Sequence, residues 1–346
     1  MYKTEYEIFN QYISLEKTYE YLVSRTDDIS CFKNNNNFDS VTFIGCGSSY
    51  SLCKSAELSL KLRTSLKVNS IAAGDLMTNL TQYNKLLENT LLVAPSRSGS
   101  TSEVVNAVTM SKEKYGVPCI SICAVNNSEL AKISDLCIEL PWAFDESVCQ
   151  TRTVTNLYTA NLYMVGVLSS DELLCKEIKQ AIDNGDKYIK QYKEQLKIVA
   201  KEKAWENVVT LGDSELEGIA EEGALAFKEI CQLHSNYYHI LDVRHGPAVL
   251  INDKTLIIIA VTPFNENYQI DLIKDLKKNG ATIVTVGSNP KNVYDSDYHI
   301  SVPLYKNYSV MGIPFIFIPQ ALSYFKALER GVNPDVPNGL DPWIKL

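Results

Sequence analysis

Short apolar, β-branched runs alternate with stretches of helical spacing along most of this chain. "VTFIG" (Val41 to Gly45), "TLLVAPS" (Thr90 to Ser96), "PCISICAV" (Pro118 to Val125) and "CIELP" (Cys137 to Pro141) read as strands. Between them, "SLCKSAELSLKLR" and the segment from about Thr101, "EVVNAVTMSKEKYG", read as helices, as do the residues before about Arg25. This alternation predicts an α/β fold, with a parallel β-sheet flanked by helices in a flavodoxin-like three-layer αβα arrangement. The strand runs are apolar almost throughout rather than at every second residue, as expected for strands buried on both faces.

The same order then repeats. "VVTLGDSELEGIAEEGALAFKE" from Val208 parallels "VTFIGCGSSYSLCKSAELSLKL" from Val41, and "KTLIIIAVTPFNENYQ" parallels "NTLLVAPSRSGSTSEV". Gly212 follows Gly45 by 167 positions and Pro303 follows Pro141 by 162, so the spacing is nearly constant. Two copies of one unit are expected, joined by helices from about Asn156 to Lys203. The first, with the N-terminal helix, would occupy 1–190 and the second 191–346.

Composition narrows the class. A length of 346 residues with 45% apolar and 21% charged positions describes a globular chain with a substantial core. A net charge of −8 argues against nucleic acid or an anionic membrane as the main partner. The nine cysteines have no metal spacing and an odd count, which fits free thiols in a reducing compartment. The polar start "MYKTEYEIFNQ" is no secretory leader, and apolar stretches such as "LIIIAV" are too short to span a bilayer. A cytoplasmic location is the expectation.

The two copies differ where an anion would bind. In an open α/β sheet, ligands sit beyond the carboxyl ends of the strands, where helix N-termini offer free N–H groups. The first copy places "GCGSSYS" (Gly45 to Ser51) and "SRSGST" (Ser96 to Thr101) there, and their hydroxyls can hold a phosphate. Each charge-assisted bond of that kind contributes roughly 1.5–3 kcal/mol. The second copy instead has "GDSELEG", where Asp213, Glu215 and Glu217 would repel a phosphate, and "VTPFNENY", which lacks glycine. Ser100 with Glu103, and Ser214 with Glu217, also fit capping boxes that merely start a helix. "GCGSSYS" lacks the third glycine of a dinucleotide-binding fingerprint.

Candidate chemistry lies in the second copy. A helix from about Ser214 to Ser235 would carry Ile219, Gly223, Phe227, Ile230 and His234 on one apolar stripe, which makes His234 a packed histidine. Glu222, Ala226 and Glu229 form the adjacent row. Glu229 is then either an ordinary solvated helix residue or a partly desolvated general base. "VRHGP" (Val243 to Pro247) ends in a Gly-Pro that can present His245, or is simply a loop.

With "GCGSSY", "SRSGST", "EEGALAFKE" and "RHGP" in this order, the chain resembles the sugar isomerase (SIS) family from about Thr4 to the C-terminus. Within it, the likeness is to the isomerase half of glucosamine-6-phosphate synthase and to stand-alone isomerases, deaminases and deglycases. The resemblance implies two tandem SIS domains and a sugar-phosphate site that includes Gly47, Ser48, Ser49, Ser96, Arg97, Ser98 and Thr101. It also implies that Val148 and Gln150 lie beside the sugar, that Glu229 moves a proton between sugar carbons, and that His245 assists ring opening. In the family that histidine comes from the neighbouring subunit, so a homodimer is implied.

There are departures. Arg97 stands where the synthase has glutamine, and Ala226 where it has a lysine three residues before the glutamate. A further lysine in the synthase tail has no clean match in "NGLDPWIKL", where Lys345 is the candidate. Residue 2 is Tyr2, not the nucleophilic cysteine of a glutaminase domain, so amide transfer from glutamine is not expected. The expected activity is ketose/aldose-type isomerisation at C1/C2 of a hexose 6-phosphate or amino-sugar 6-phosphate, without metal or nucleotide cofactor, with deaminase and deglycase chemistry as alternatives. A sugar-phosphate sensor without catalysis is a further alternative, although such regulators often carry a DNA-binding segment for which neither terminus has the length or basic charge.

Overall fold

The structure, a computed structural model, describes residues 1–202 and 204–341. It contains ten strands: β1 (Ser40–Gly45), β2 (Lys67–Ala72), β3 (Thr90–Ser96), β4 (Cys119–Cys123), β5 (Leu136–Glu139), β6 (Asn207–Leu211), β7 (His234–Tyr238), β8 (Thr255–Ala260), β9 (Thr282–Gly287) and β10 (Tyr298–Ser301). They form two five-stranded sheets, ordered β2-β1-β3-β4-β5 and β10-β9-β8-β6-β7. Every pairing is parallel. Read from the other edge, the second order is that of the first. This is the doubly wound 2-1-3-4-5 arrangement, whose direction of winding reverses between its first and third strands.

The chain divides into two compact units that are not contiguous in sequence. One comprises Asn10–Glu146 and Gln150–Ile182; the other takes Met1–Phe9, Ser147–Cys149 and Asp183–Leu340. In the second of these, Asp335 Oδ1 accepts from Thr4 N at 2.8 Å, and the Asp335 carbonyl accepts from Val148 N at 3.0 Å. Ser147 N donates to the buried Glu7 carboxylate at 3.2 Å.

Every residue of β1, β3, β4, β8 and β9 is buried, so these strands need apolar residues on both faces. The edge strands are different. β2 ("KVNSIA") and β7 ("HSNYY") bury only part of their length, and their polar composition gives no apolar run to read. Sequence patterning therefore misses β2 and runs a helix through the start of β7. That helix is in fact Glu217–Ile230, and His234, expected on its packed stripe, is the exposed first residue of β7.

The helices between the copies also need correction. Arg152–Ser169 is no linker, because it lies almost entirely buried in the first unit. Its polar side chains pair with N-terminal helices: Thr155 Oγ1 donates to Gln11 Oε1 at 2.6 Å and Asn156 Nδ2 to Ser14 Oγ at 2.8 Å. Its counterpart after β10 is Gly312–Glu329, "GIPFIFIPQALSYFKALE", a longer apolar stretch than "LIIIAV". Among the described residues, Tyr308–Glu329 is the one segment apolar and long enough to cross a membrane, and 94% of it is buried inside the protein. Pro319 of this helix packs on Gly223, where a Cβ would lie 3.0 Å from the proline Cγ.

Each copy has a close contact at the end of its first strand. A Cβ on Gly45 would lie 2.8 Å from the Ser49 carbonyl carbon and 2.9 Å from Tyr50 N. On Gly212 it would lie 2.8 Å from Ala220 Cβ and 2.9 Å from Leu216 O. Both contacts press a helix start onto a strand end. Gly45→Ala and Gly212→Ala are each expected to cost about 1–3 kcal/mol of stability through overpacking, measured as a lower urea midpoint with an unchanged m-value.

Candidate functional site

The first unit closes a small cleft beyond the carboxyl ends of β1 and β3, at the point where the winding reverses. After β1 the chain turns at Gly47, whose φ of 52° lies in the left-handed region, and the helix Ser48–Lys61 begins. Ser49 N donates to Cys46 O at 3.1 Å and Tyr50 N to Gly47 O at 2.9 Å, which fixes Ser49 in the first turn. After β3, Ser96 Oγ accepts from Gly99 N at 3.1 Å and Ser98 Oγ accepts from Ser100 N at 3.2 Å. Each hydroxyl thus shapes the loop as an acceptor while retaining its own O–H to donate to a ligand. Gly99 has φ 60° and packs on Ser128, whose Oγ would lie 2.1 Å from an added Cβ.

The cleft is lined by Cys46, Ser49, Pro95, Ser96, Arg97, Ser98, Thr101, Val104 and Gln150, with a volume of about 40 Å³. A water needs about 10–15 Å³ on this measure, so the space accommodates a group with a few oxygens, such as a phosphoryl. Among the described residues, no carboxylate lines it. Arg97 is 5% exposed, its guanidinium carbon 5.9 Å from the centre of the Phe144 ring. Its positive charge at the cleft wall suits an anionic ligand. Gly47 and Ser48 shape the turn without lining the cleft. Val148 belongs to the other unit, and Lys345 lies outside the described residues.

Neither capping box is formed. The N-cap of helix Ser102–Tyr115 is Thr101, without a side-chain cap bond, and Ser100 is held by Ser98 instead. Glu103 turns inward, with one carboxylate oxygen buried and unpartnered. Burial of the Cys46 thiol, joined by the negative charge of Glu103, pushes it up to about 11. In the second copy, Ser214 (φ 56°) opens a short 3-10 turn after Asp213, and Glu217 starts the helix.

The acidic loop of the second copy is occupied by its own neighbours. Asp213 Oδ1 accepts from Ile240 N at 2.9 Å and lies 3.2 Å from His239 Nδ1, while Glu217 Oε2 lies 3.8 Å from His239 Nε2. Sequence reading places the carboxylates there but gives no sign of His239, which follows directly after the unrecognised strand β7. Glu229 is half-buried on the last turn of helix Glu217–Ile230, in a row with the buried Glu222 and Ala226. His245 is exposed, its backbone N held by Asp242 O at 2.9 Å, and Gly246 follows at φ 115°. Beyond it Val249 and Leu250 are 84% and 71% exposed.

Two parallel sheets of identical winding, one repeated after the other, define a tandem flavodoxin-like α/β protein. Residues 36–168 and 203–318 match the SIS domain, and the chain belongs to the SIS domain family. It is 26% identical over 314 residues to the isomerizing glutamine–fructose-6-phosphate aminotransferase of Wigglesworthia glossinidia brevipalpis, covering 87% of this chain and 50% of that protein. To the enzyme of the same name from Sulfurisphaera tokodaii it is 27% identical over 339 residues, covering 96% and 55%. The chain thus spans about half the length of these relatives. Among solved structures it is similar to glucosamine-6-phosphate deaminase of Thermotoga maritima, with 27% identity and a TM-score of 0.84, covering 99% of this chain and 100% of that one. Tagatose-6-phosphate ketose/aldose isomerase of Escherichia coli shares the fold, with a TM-score of 0.86 at 22% identity over 99% and 95% of the two chains.

The position of Cys46 has a chemical consequence. The thiolate is the reactive form, and a rise from the ordinary 9.0 to about 11 leaves it about a hundredfold scarcer at pH 8. Iodoacetamide is expected to label Cys46 about tenfold more slowly than a thiol of ordinary acidity, since the scarcer thiolate is also the stronger nucleophile, and Glu103→Gln to speed that labelling, as read by peptide mass spectrometry.

Proposed function

We propose that the protein catalyses proton transfer between C1 and C2 of a hexose 6-phosphate or amino-sugar 6-phosphate. The observation that carries this reading is the hydroxyl-lined cleft with its buried arginine at the first unit's winding reversal, in a chain of the SIS family. In this reading Ser49, Ser96, Ser98, Thr101 and Arg97 hold the phosphate, and Val148 and Gln150 border the sugar. His245 passes the anomeric hydroxyl proton to the ring oxygen as the C1–O5 bond breaks. Glu229 then removes the C2 proton while O1 is protonated, giving an enediol, and returns it to C1 as O2 gives up its proton, which turns aldose into ketose. The likeness to a deaminase along that protein's whole chain favours a second reading. With glucosamine 6-phosphate the same transfer yields a C2 imine, and water attacking C2 releases ammonia and leaves fructose 6-phosphate. A deglycase would act on a sugar–amine adduct with the same two residues.

The exposed His245, followed by the exposed apolar Val249 and Leu250, supports a homodimer in which each histidine serves the partner's site. The decisive assay offers the protein a panel of 6-phosphates (glucosamine, fructose, galactosamine, tagatose and fructosamine adducts) and follows ketose formation and ammonia or amine release. With the substrate so found, Glu229→Gln is expected to lower kcat by about 10²–10⁴-fold while inorganic phosphate still binds; unchanged turnover would remove Glu229 from the reaction. Mixing Glu229→Gln with His245→Ala subunits is expected to restore about a quarter of wild-type activity if sites are shared between two subunits, and none if each subunit works alone.

A further inference from the structure

Cys123 is the last residue of β4, and Cys137 is the second of β5, the edge strand beside it. In the register Ser121 lies opposite Cys137, so Cys123 is its diagonal neighbour, two residues on and on the same face of the sheet. Both thiols pack in one apolar cluster; Cys123 is fully buried, while Cys137 is half-buried and within reach of reagents. Burial holds the Cys46 and Cys175 thiols up at about 11 and those of Cys119 and Cys231 at about 12. Cys137 goes the other way: a hydrogen bond donated by the Cys123 thiol holds it below its ordinary value despite its burial. The same bond, together with burial, pushes Cys123 well above its own ordinary value. One sulfur is readied as a nucleophile, and the other stands beside it as a thiol.

Cys123 also supports the loop that leaves β3. A Cβ on Gly99 would lie 3.0 Å from the Cys123 sulfur, so the thiol sits directly against that turn. The next residue, Ala124, donates its N–H to Arg97 O at 3.1 Å, and Leu130 N donates to Gly99 O at 2.8 Å. The exit of β5 is tied to the same place, because Leu140 N donates to Cys123 O at 2.8 Å. A displacement of Cys123 is therefore felt by the backbone of Arg97 and Gly99, between the hydroxyls that line the cleft.

The geometry points to Cys123 and Cys137 as a redox modification site, at which a hydroperoxide converts the pair into a reversible disulfide that loosens the anion cleft. In the first step the Cys137 sulfur attacks one peroxide oxygen; the O–O bond breaks, leaving a sulfenic acid and releasing water. The Cys123 sulfur then attacks the Cys137 sulfur and forms the S–S bond. The displaced hydroxyl takes the Cys123 proton and departs as water. Two electrons leave the two sulfurs and reduce one peroxide to two waters. Diagonal neighbours on paired strands have Cα atoms about 7–8 Å apart, beyond the span of about 4.4–6.8 Å usual for a disulfide, so closing the bond draws β5 along β4. An edge strand paired on one side only can make that movement. The resulting strain makes the bond easy to reduce, which suits a regulatory disulfide and not a structural one. The link itself stands apart from the cleft's ligand; its effect on binding rests on the reading of the cleft as a phosphate site.

The test treats the reduced protein with excess hydrogen peroxide, removes the peroxide, and reads peptide masses together with calorimetric binding of inorganic phosphate. Wild type is expected to yield a linked Cys123–Cys137 peptide pair two hydrogens lighter than its free thiols. Its phosphate binding is expected to weaken about tenfold, and dithiothreitol to reverse both changes. Cys137→Ser, a substitution at a half-buried edge position, is expected to keep its phosphate affinity through the same treatment. Cys123→Ala is expected to leave the sulfenic acid on Cys137, where dimedone captures it. Peroxide that leaves both cysteines as free thiols, or links either of them to a different cysteine, would overturn the inference. A linked pair that binds phosphate as the reduced protein does would overturn its coupling to the cleft. Reduced wild type that binds neither inorganic phosphate nor a hexose 6-phosphate would instead overturn the phosphate reading of the cleft, and the peptide masses would still decide the link.

Discussion

At the end of β1 the helix that follows passes so close to the strand that only a hydrogen fits on Gly45. The remainder of the cleft follows from that approach. The turn leaves the strand through Gly47 in a left-handed conformation, sets Ser49 in the first helical turn, and brings it beside the loop that leaves β3. That loop is braced by its own serines and by Gly99 against Ser128. Any side chain at position 45 would move the helix start and with it one wall of the site.

The same constraint survives at Gly212, but the site above it does not. Where the first copy has hydroxyls and a guanidinium, the second has Asp213 and Glu217 facing His239. The two copies share the strand–helix junction, which is a matter of backbone packing, and differ in the loops above it, where ligand chemistry is set. Hydroxyls and a guanidinium line the cleft of the first copy, and carboxylates fill the corresponding loop of the second.

How much was legible before the structure follows the same line. The inner strands were readable because burial on two faces demands continuous apolar runs, and the repeat was readable because those runs recur at nearly fixed spacing. β2 and β7 were not, since an edge strand of a parallel sheet tolerates "KVNSIA" and "HSNYY". Missing β7 misplaced His234 and concealed His239. The serine–glutamate pairs at positions 100/103 and 214/217 have the spacing of capping boxes, yet loop geometry around Ser98 and a left-handed Ser214 start both helices differently. Spacing cannot reveal which backbone donors a neighbouring side chain has already satisfied. The serines and arginine of the cleft were visible as residue types in a loop, whereas the meeting of Cys123 with Cys137 depends on strand register and has no signature in their spacing.

The anchoring of the short segment Ser147–Cys149 also bears on how the chain can be divided. Glu7 holds Ser147, and Asp335 holds both Thr4 and Val148, so the first residues and a three-residue stretch from the middle belong to the unit that holds the C-terminal sheet. A cut between Ile182 and Asp183 would leave one fragment carrying Glu7 and Ser147–Cys149 away from Asp335, and the other with Asp335 lacking its partners. The two copies remain recognisable as repeats, but they are no longer separable modules. Splitting this protein for reassembly, or exchanging one half for a homologue's, requires that the N-terminal helix travel with the second copy.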